Sequence, residues 1–244
     1  LHPYTSFPKT VEVRDRVGTV VATVADRPLQ DRIPIEGVAT GPRSIQWVPT
    51  APAGLIWVEA LDKGDPRAKI ATAEARDAVM VQPDLGRQAA RAVTLTHRFA
   101  AVSKTADIAF FADGKRILVR DYERERKTGR LMLADLGGGT PTVLFEKSTQ
   151  DRYGDPGVPL SRALPNGQRV LNEANGKLLF SSEGASPKGD RPFLARFDPA
   201  ARETAKVFEC PPDAYHRVAA VLDPTGDKLI VAKESPTQPA AYYF

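Results

Sequence analysis

The serines of this 244-residue chain do not sit where a hydrolytic nucleophile is held. Such a serine stands on a sharp strand-to-helix turn with the pattern Gly-x-Ser-x-Gly, where the glycines tolerate the strain. The nearest stretch is Phe180-Ser181-Ser182-Glu183-Gly184, with Phe180 in the first glycine's place. A phenyl ring clashes there, so the stretch is expected to be an ordinary loop. One cysteine, Cys210, excludes an intrachain disulfide and a cysteine metal cluster, and His2, His97 and His216 are too far apart for a ligand spacing. Gly137-Gly138-Gly139-Thr140 lacks the Lys-Ser/Thr and the helix of a phosphate loop and reads as a hairpin turn. The carboxylates form no recognisable pair for glycoside hydrolysis. No metal and no cofactor are expected.

Residues suited to binding are easier to find. Gln150–Gly157 is a polar loop rich in Gly and Pro that carries Asp151, Arg152, Tyr153 and Asp155. An arginine on such a loop can grip a carboxylate through two nitrogens. The same Asp and Arg can instead pair with each other and pin a turn. Tyr122–Arg130 alternates in charge. If a strand continues through it, Arg124 and Arg126 share one face and Glu123 and Glu125 the other, because side chains alternate along a strand. Those arginines then either line a central tunnel that attracts acidic peptides or decorate a solvated hairpin.

Short strands must position these loops. With 21 prolines and 18 glycines, a breaker falls often enough that long helices cannot persist. A hydrophobic content of 42% against 26% charged residues is that of a packed domain. Four segments repeat one grammar, a turn with glycine followed by an apolar strand: Ala53-Gly54 into Leu55–Val58, Asp113-Gly114 into Arg116–Val119, Asn166-Gly167 into Arg169–Leu171, and Thr225-Gly226 into Leu229–Val231. The glycines are expected to supply positive φ. They recur 53 to 60 residues apart, the spacing of propeller blades with enlarged loops.

The expected fold is therefore all-β, a partial β-propeller of about four blades, each a small antiparallel sheet. Its approximate blades are 1–82, 83–148, 149–210 and an incomplete 211–244. The third is expected to use Ser161–Leu164, Gln168–Asn172, Lys177–Ser181 and Phe193–Asp198 as its strands. Ala68–Val81 is read as a short helical turn before a strand, since Ala71–Arg76 has high helix propensity. Trp47 and Trp57 lie in apolar strands and are expected in the core between blades.

A net charge of +4, scattered among carboxylates, provides no concentrated basic face for nucleic acid. No apolar run approaches the length that inserts into a membrane. The chain begins at Leu1, as expected of a processed or excised piece.

Several segments resemble the propeller of the prolyl oligopeptidase family, in its glutamyl-endopeptidase-like branch. They are Val38–Trp47, Trp57–Pro66, Thr96–Phe99, Gln150–Gly157, Ala185–Phe193 and Glu234–Thr237, in family order along nearly the whole chain. Tyr122–Arg130 departs from the pattern, with Thr128 where the family has tryptophan, and Ala100–Phe111 is longer. The resemblance implies the later part of an N-terminal propeller that covers a C-terminal α/β-hydrolase domain of the same polypeptide, absent from these residues. The chain would be inactive alone and would gate peptide substrate, possibly acidic, for acyl transfer by an activated serine. Arg152 would then contact an acidic side chain. Tyr4, in a segment with His2, Pro3 and Phe7, would lie near the active-site side. The alternatives are a stand-alone binding propeller of the Tol-associated type and, less favoured, a propeller glycosidase or lactonase.

Overall fold

A computed structural model describes residues 4–68, 75–104, 106–212 and 214–244. Among them there is one 3-10 turn, Tyr4–Ser6, and every other regular element is a strand. Among the described residues, no helix is long and apolar enough to cross a membrane. The helix-compatible Ala71–Arg76 lies mostly outside the described residues.

The chain opens with a hairpin, β1 (Lys9–Arg14) and β2 (Val20–Arg27). The Asp15 carboxylate closes its turn by accepting from the Val17 and Thr19 amides, both at 2.9 Å. The first sheet then runs as a meander through β3 (Arg43–Trp47), β4 (Leu55–Ala60), β5 (Asp77–Gln82) and β6 (Ala90–Leu95). The second contains β7 (Arg98–Ala100), β8 (Ala109–Phe110), β9 (Arg116–Glu123), β10 (Thr128–Asp135) and β11 (Thr142–Ser148). Here β7 and β8 share the inner edge of β9 as two pieces of one interrupted strand.

Next come β12 (Val158–Pro159), the small pair β13 (Ser161–Ala163) and β14 (Arg169–Leu171), then β15 (Glu173–Ala174), β16 (Lys177–Ser182), β17 (Phe193–Asp198) and β18 (Glu203–Glu209). The third sheet has the order β12-β16-β17-β18, with β15 also on β16. The fourth is β19 (Tyr215–Val221), β20 (Leu229–Ser235) and β21 (Gln238–Tyr243).

The architecture is all-β: among the described residues, four antiparallel sheets of three to five strands and two further two-stranded pairs, which together are a partial β-propeller. Its strands differ from the sequence expectation at three points. Ala90–Leu95, expected in the following unit, pairs with β5 as the outer strand of the first sheet. Ser161–Ala163 and Arg169–Leu171 pair with each other and stand aside from the third sheet, whose fourth strand is Glu203–Glu209. Phe180–Ser182 belongs to β16, so Phe180 is a core residue of a strand and the loop begins only at Glu183.

Stacking of the sheets follows from strands that are apolar on both faces. In β9, Ile117 and Val119 point into a core shared with Ile56, Val58, Val79 and Val93 of the first sheet. Leu118, between them, points the other way, into a core with Leu178, Phe180 and Phe197 of the third. Alternation with period two thus puts one strand into two cores. Phe145, Phe180 and Phe197 add edge and tilted ring contacts at centroid distances of 5.6, 4.6 and 5.8 Å. The longer Ala100–Phe111 segment buries Val102 in the second core and Ile108 in the first. The fourth sheet meets the third where Arg196 Nε donates to the Thr225 carbonyl at 2.6 Å and pairs with Asp227.

The turn glycines behave as expected at Gly114, Gly167 and Gly226, with φ of 68°, 80° and 77°. Gly54 is different. Its φ is not positive, and a Cβ there would lie 2.9 Å from both Ala51 Cβ and the Pro83 carbonyl, so close packing is what requires glycine. Trp57 is buried as expected, but Trp47, near the end of the inner strand β3, is 46% exposed.

Leu118→Ala removes a fully buried side chain from the interface of the second and third sheets. It is expected to cost about 2–5 kcal/mol in urea unfolding, with an unchanged far-ultraviolet spectrum.

Candidate functional site

Strand register places the connections 61–68, 96–97, 124–127, 149–157, 183–192 and 210–212 at one end of the sheets. This loop face holds nearly every residue singled out for binding. Its foundation is a set of buried charges.

Arg98, the first residue of β7, reaches back across the sheet boundary. Its Nη2 donates to Asp62 Oδ2 at 2.5 Å and its Nη1 to Asp77 Oδ1 at 2.7 Å. Arg43 donates to Asp77 Oδ2 at 2.5 Å and Arg76 to Asp62 Oδ2 at 2.9 Å. The Phe99 amide adds a bond to Asp77 Oδ2 at 2.6 Å. Within the second sheet, Arg130 grips both oxygens of Asp121, its cross-strand partner, at 2.9 and 2.5 Å. The same guanidinium donates to Thr96 Oγ1 at 2.6 Å, and the His97 amide to Asp121 Oδ2 at 3.3 Å.

Residues 96–97, the link between two sheets, and the start of β7 are therefore held from both sides by carboxylates with fully buried side chains. Desolvating each charge costs several kcal/mol, and only this density of charge-assisted bonds offsets it. Burial alone pushes the Asp62 carboxyl up. Bonds from Arg98 and Arg76, the Arg98 charge and the Gly64 amide outweigh that, and its pKa lies below the ordinary 3.8.

Sequence reasoning did not find this network as a site. Its signal was present all the same, since Asp62 and Arg98 fall inside two of the segments that carried the family resemblance.

The 149–157 loop stands on its own scaffold. Asp151 Oδ1 accepts from the Tyr153 and Gly154 amides, both at 3.0 Å, and Lys147 Nζ donates to the Asp151 carbonyl at 2.8 Å. Asp155 accepts from the Gly157 amide at 3.2 Å, and its carbonyl receives the Ser182 hydroxyl at 3.2 Å. Gly157, at φ 90°, packs so closely on Ser181 that a Cβ would overlap the Ser181 carbonyl. The turn is pinned, as one alternative supposed, but by backbone amides and not by an Asp151–Arg152 pair. Arg152 has no hydrogen bond or ion pair among the described residues, and Tyr153 is 67% exposed.

The other expected residues are placed differently. The strand ends at Glu123, and Arg124–Lys127 form a turn closed by a bond from the Lys127 amide to the Arg124 carbonyl at 3.1 Å. Arg124 and Arg126 are thus turn residues and do not share a strand face. Arg124 pairs with Glu36, and Arg126 Nε lies 3.8 Å from Glu123. Tyr4 is exposed, with Lys9 Nζ 5.1 Å from its ring centroid.

Farther along the same face, a groove of about 480 Å³ separates the third and fourth sheets and includes Lys188, Arg191, Pro212, Tyr215 and Glu234. Burial, then the charges of Glu183 and Glu234, raise the Tyr215 phenol above its ordinary pKa. Arg191 is committed to the Cys210 carbonyl, with Nε and Nη2 both at 3.0 Å. Among the described residues, no group of His, Cys, Asp and Glu is arranged to hold a metal.

Fold and site together define a propeller arc with a firmly braced loop face. No family model matches the sequence. Two curated proteins do, both described as "Probable glutamyl endopeptidase, chloroplastic". The one from Oryza sativa subsp. japonica is 30% identical over 258 aligned residues, covering 99% of this chain and 27% of that protein. The one from Arabidopsis thaliana is 30% identical over 98% of this chain and 26% of its own length. The chain is a homologue of these glutamyl-endopeptidase-like proteins and spans about a quarter of their length. Among solved structures, similarity is seen with the tricorn protease (TM-score 0.45, 12% identity, 90% of this chain and 17% of that one). It is also seen with the β-propeller domain of the Trilobed protease from Pyrococcus furiosus (0.36, 15%, 85% and 57%) and with TolB from Acinetobacter baumannii (0.36, 14%, 97% and 53%).

Arg98→Met removes one charge-assisted bond from each of Asp62 and Asp77, while Arg76 still pairs with the first and Arg43 with the second. Urea unfolding is expected to show a loss of about 2–4 kcal/mol. Stability should also depend on acid. Because the folded Asp62 carboxyl lies below 3.8, its contribution is full above that value and is lost as pH falls toward the folded pKa. Melting temperature is expected to be flat near neutrality and to decline below about pH 4, less steeply in Asp62→Asn.

Proposed function

We propose that this chain is the propeller portion of a serine peptidase, and that it gates and orients peptide substrates for an α/β-hydrolase domain belonging to the rest of the polypeptide. The observation that carries this reading is the 30% identity over 99% of the chain to proteins described as glutamyl endopeptidases, of which it covers 27%. The missing Gly-x-Ser-x-Gly supports it from the other direction, since the nucleophile must then come from residues outside this segment.

In this reading the loop face meets the substrate. Arg152 and Tyr153 stand at the tip of a loop whose base is fixed, the arrangement in which binding residues sit on a rigid scaffold. Arg152 receives an acidic side chain of the peptide, and Tyr153 offers an aromatic surface beside it. Asp151 positions the loop without touching substrate, because its carboxylate is occupied by amides. Arg124, Arg126 and Tyr4 contribute a weaker positive and aromatic rim, as both arginines already have acidic neighbours. The chemistry would be acyl transfer through a serine ester, with the propeller limiting which peptides reach it.

In the full-length polypeptide, Arg152→Ala is expected to lower kcat/KM for glutamate-containing peptides about tenfold, the worth of one charge-assisted hydrogen bond. Turnover of a neutral peptide should be unaffected. The 244-residue chain alone should not hydrolyse glutamate-containing chromogenic peptides, and turnover abolished by a serine-directed inhibitor would overturn the reading.

A further inference from the structure

Arg152 stands in a loop between two carboxylates, Asp151 and Asp155, and among the described residues it pairs with neither. Elsewhere in the chain a cation and an acid three positions apart do pair, as Arg116 with Asp113 and Lys206 with Glu209, both at 2.5 Å. Arg152 and Asp155 have the same separation. Each carboxylate is engaged by another group. Asp151 Oδ1 accepts the Tyr153 and Gly154 amides. Asp155 Oδ1 accepts the Gly157 amide at 3.2 Å and lies 3.5 Å from Lys147 Nζ. Lys147 belongs to β11, the strand that leads into the loop, and its side chain is only 20% exposed. Its Nζ also donates to the Asp151 carbonyl at 2.8 Å. One ammonium group therefore holds both shoulders of the loop, with Arg152 and Tyr153 between them.

We infer that Lys147 is a positioning residue that keeps Arg152 available to an acidic side chain by holding Asp155 away from it. The inference rests on the reading of Arg152 as the substrate contact. Without Lys147, the Asp155 carboxylate loses its neighbouring cation, and its side chain is 55% exposed and free to turn. Arg152 is then a cation within reach, and pairing would neutralise it inside its own loop. A substrate carboxylate would have to displace Asp155 before it could bind, at a cost set by an exposed ion pair.

The test is the preference of the full-length polypeptide for a glutamate-containing peptide over its glutamine counterpart, measured as a ratio of kcat/KM. Lys147→Met is expected to lower that ratio about threefold, through KM. Adding Asp155→Asn should restore it, since the amide oxygen still accepts from Gly157 but no longer neutralises an arginine. Lys147→Met placed in Arg152→Ala should cause no further loss, because Lys147 acts through Arg152. Lys147→Gln serves if the methionine variant fails to fold. A ratio unchanged in a folded variant, a loss that persists with Asp155→Asn, or a loss that recurs without Arg152 overturns the inference. If Arg152→Ala itself leaves the ratio unchanged, the reading of Arg152 as the acid contact falls first, and the inference falls with it.

Discussion

The link between the first two sheets is where the structure concentrates its charges, and the loop face depends on it. Arg98 connects Asp62 and Asp77 across the sheet boundary, and Arg130 with Asp121 fixes Thr96 and His97 from the far side. Buried ion pairs seldom exceed well-packed hydrophobic groups as a source of stability, since desolvation takes back most of the attraction. What they supply is direction. An apolar interface alone lets neighbouring sheets slide, whereas a guanidinium that must satisfy two carboxylates at once admits one geometry. The connections 61–68 and 96–97 take their places on the loop face from that geometry.

Farther along the chain the same task falls to bonds from backbone amides to carboxylates, to Lys147 and to close backbone contact. Asp151 and Asp155 fold the 149–157 loop on its own amides, Ser182 ties it to the third sheet, and Gly157 lets the backbones touch. Two apolar cores lie beneath, with β9 contributing to both. Rigidity under an exposed Arg152 and Tyr153 supports the proposed substrate-selecting role, because an unfixed loop would pay its ordering entropy on binding.

Much of this fold was legible in the sequence because its signals are local. Glycine turns followed by apolar strands located β9, β14 and β20 and their spacing indicated successive sheets. β6 and β18 were missed because their residues are largely exposed or mixed. The β13–β14 pair was assigned to the wrong sheet because local pattern does not reveal which edge a short strand finds. Arg152 and Tyr153 were legible as loop residues. The Asp–Arg network was not, because its members are spread from Arg43 to Arg130 and only register brings them together. Arg124 and Arg126 failed as a strand face for a related reason: the chain turns at Arg124, with Lys127 taking a positive φ of 52°.

Hydrogen exchange of the amides that bond to the buried carboxylates tests the importance of this network most directly. The His97 amide lies in the connection before β7 and the Phe99 amide on that three-residue edge strand, where fast exchange is the ordinary expectation, yet each bonds to a buried Asp. If the network fixes the first sheet on the second, both amides exchange only through global unfolding, as slowly as Leu118 in the core strand. Exchange at the rate of the Arg124–Lys127 turn, with Leu118 still protected, would show that the sheets are held by apolar stacking alone and would contradict it.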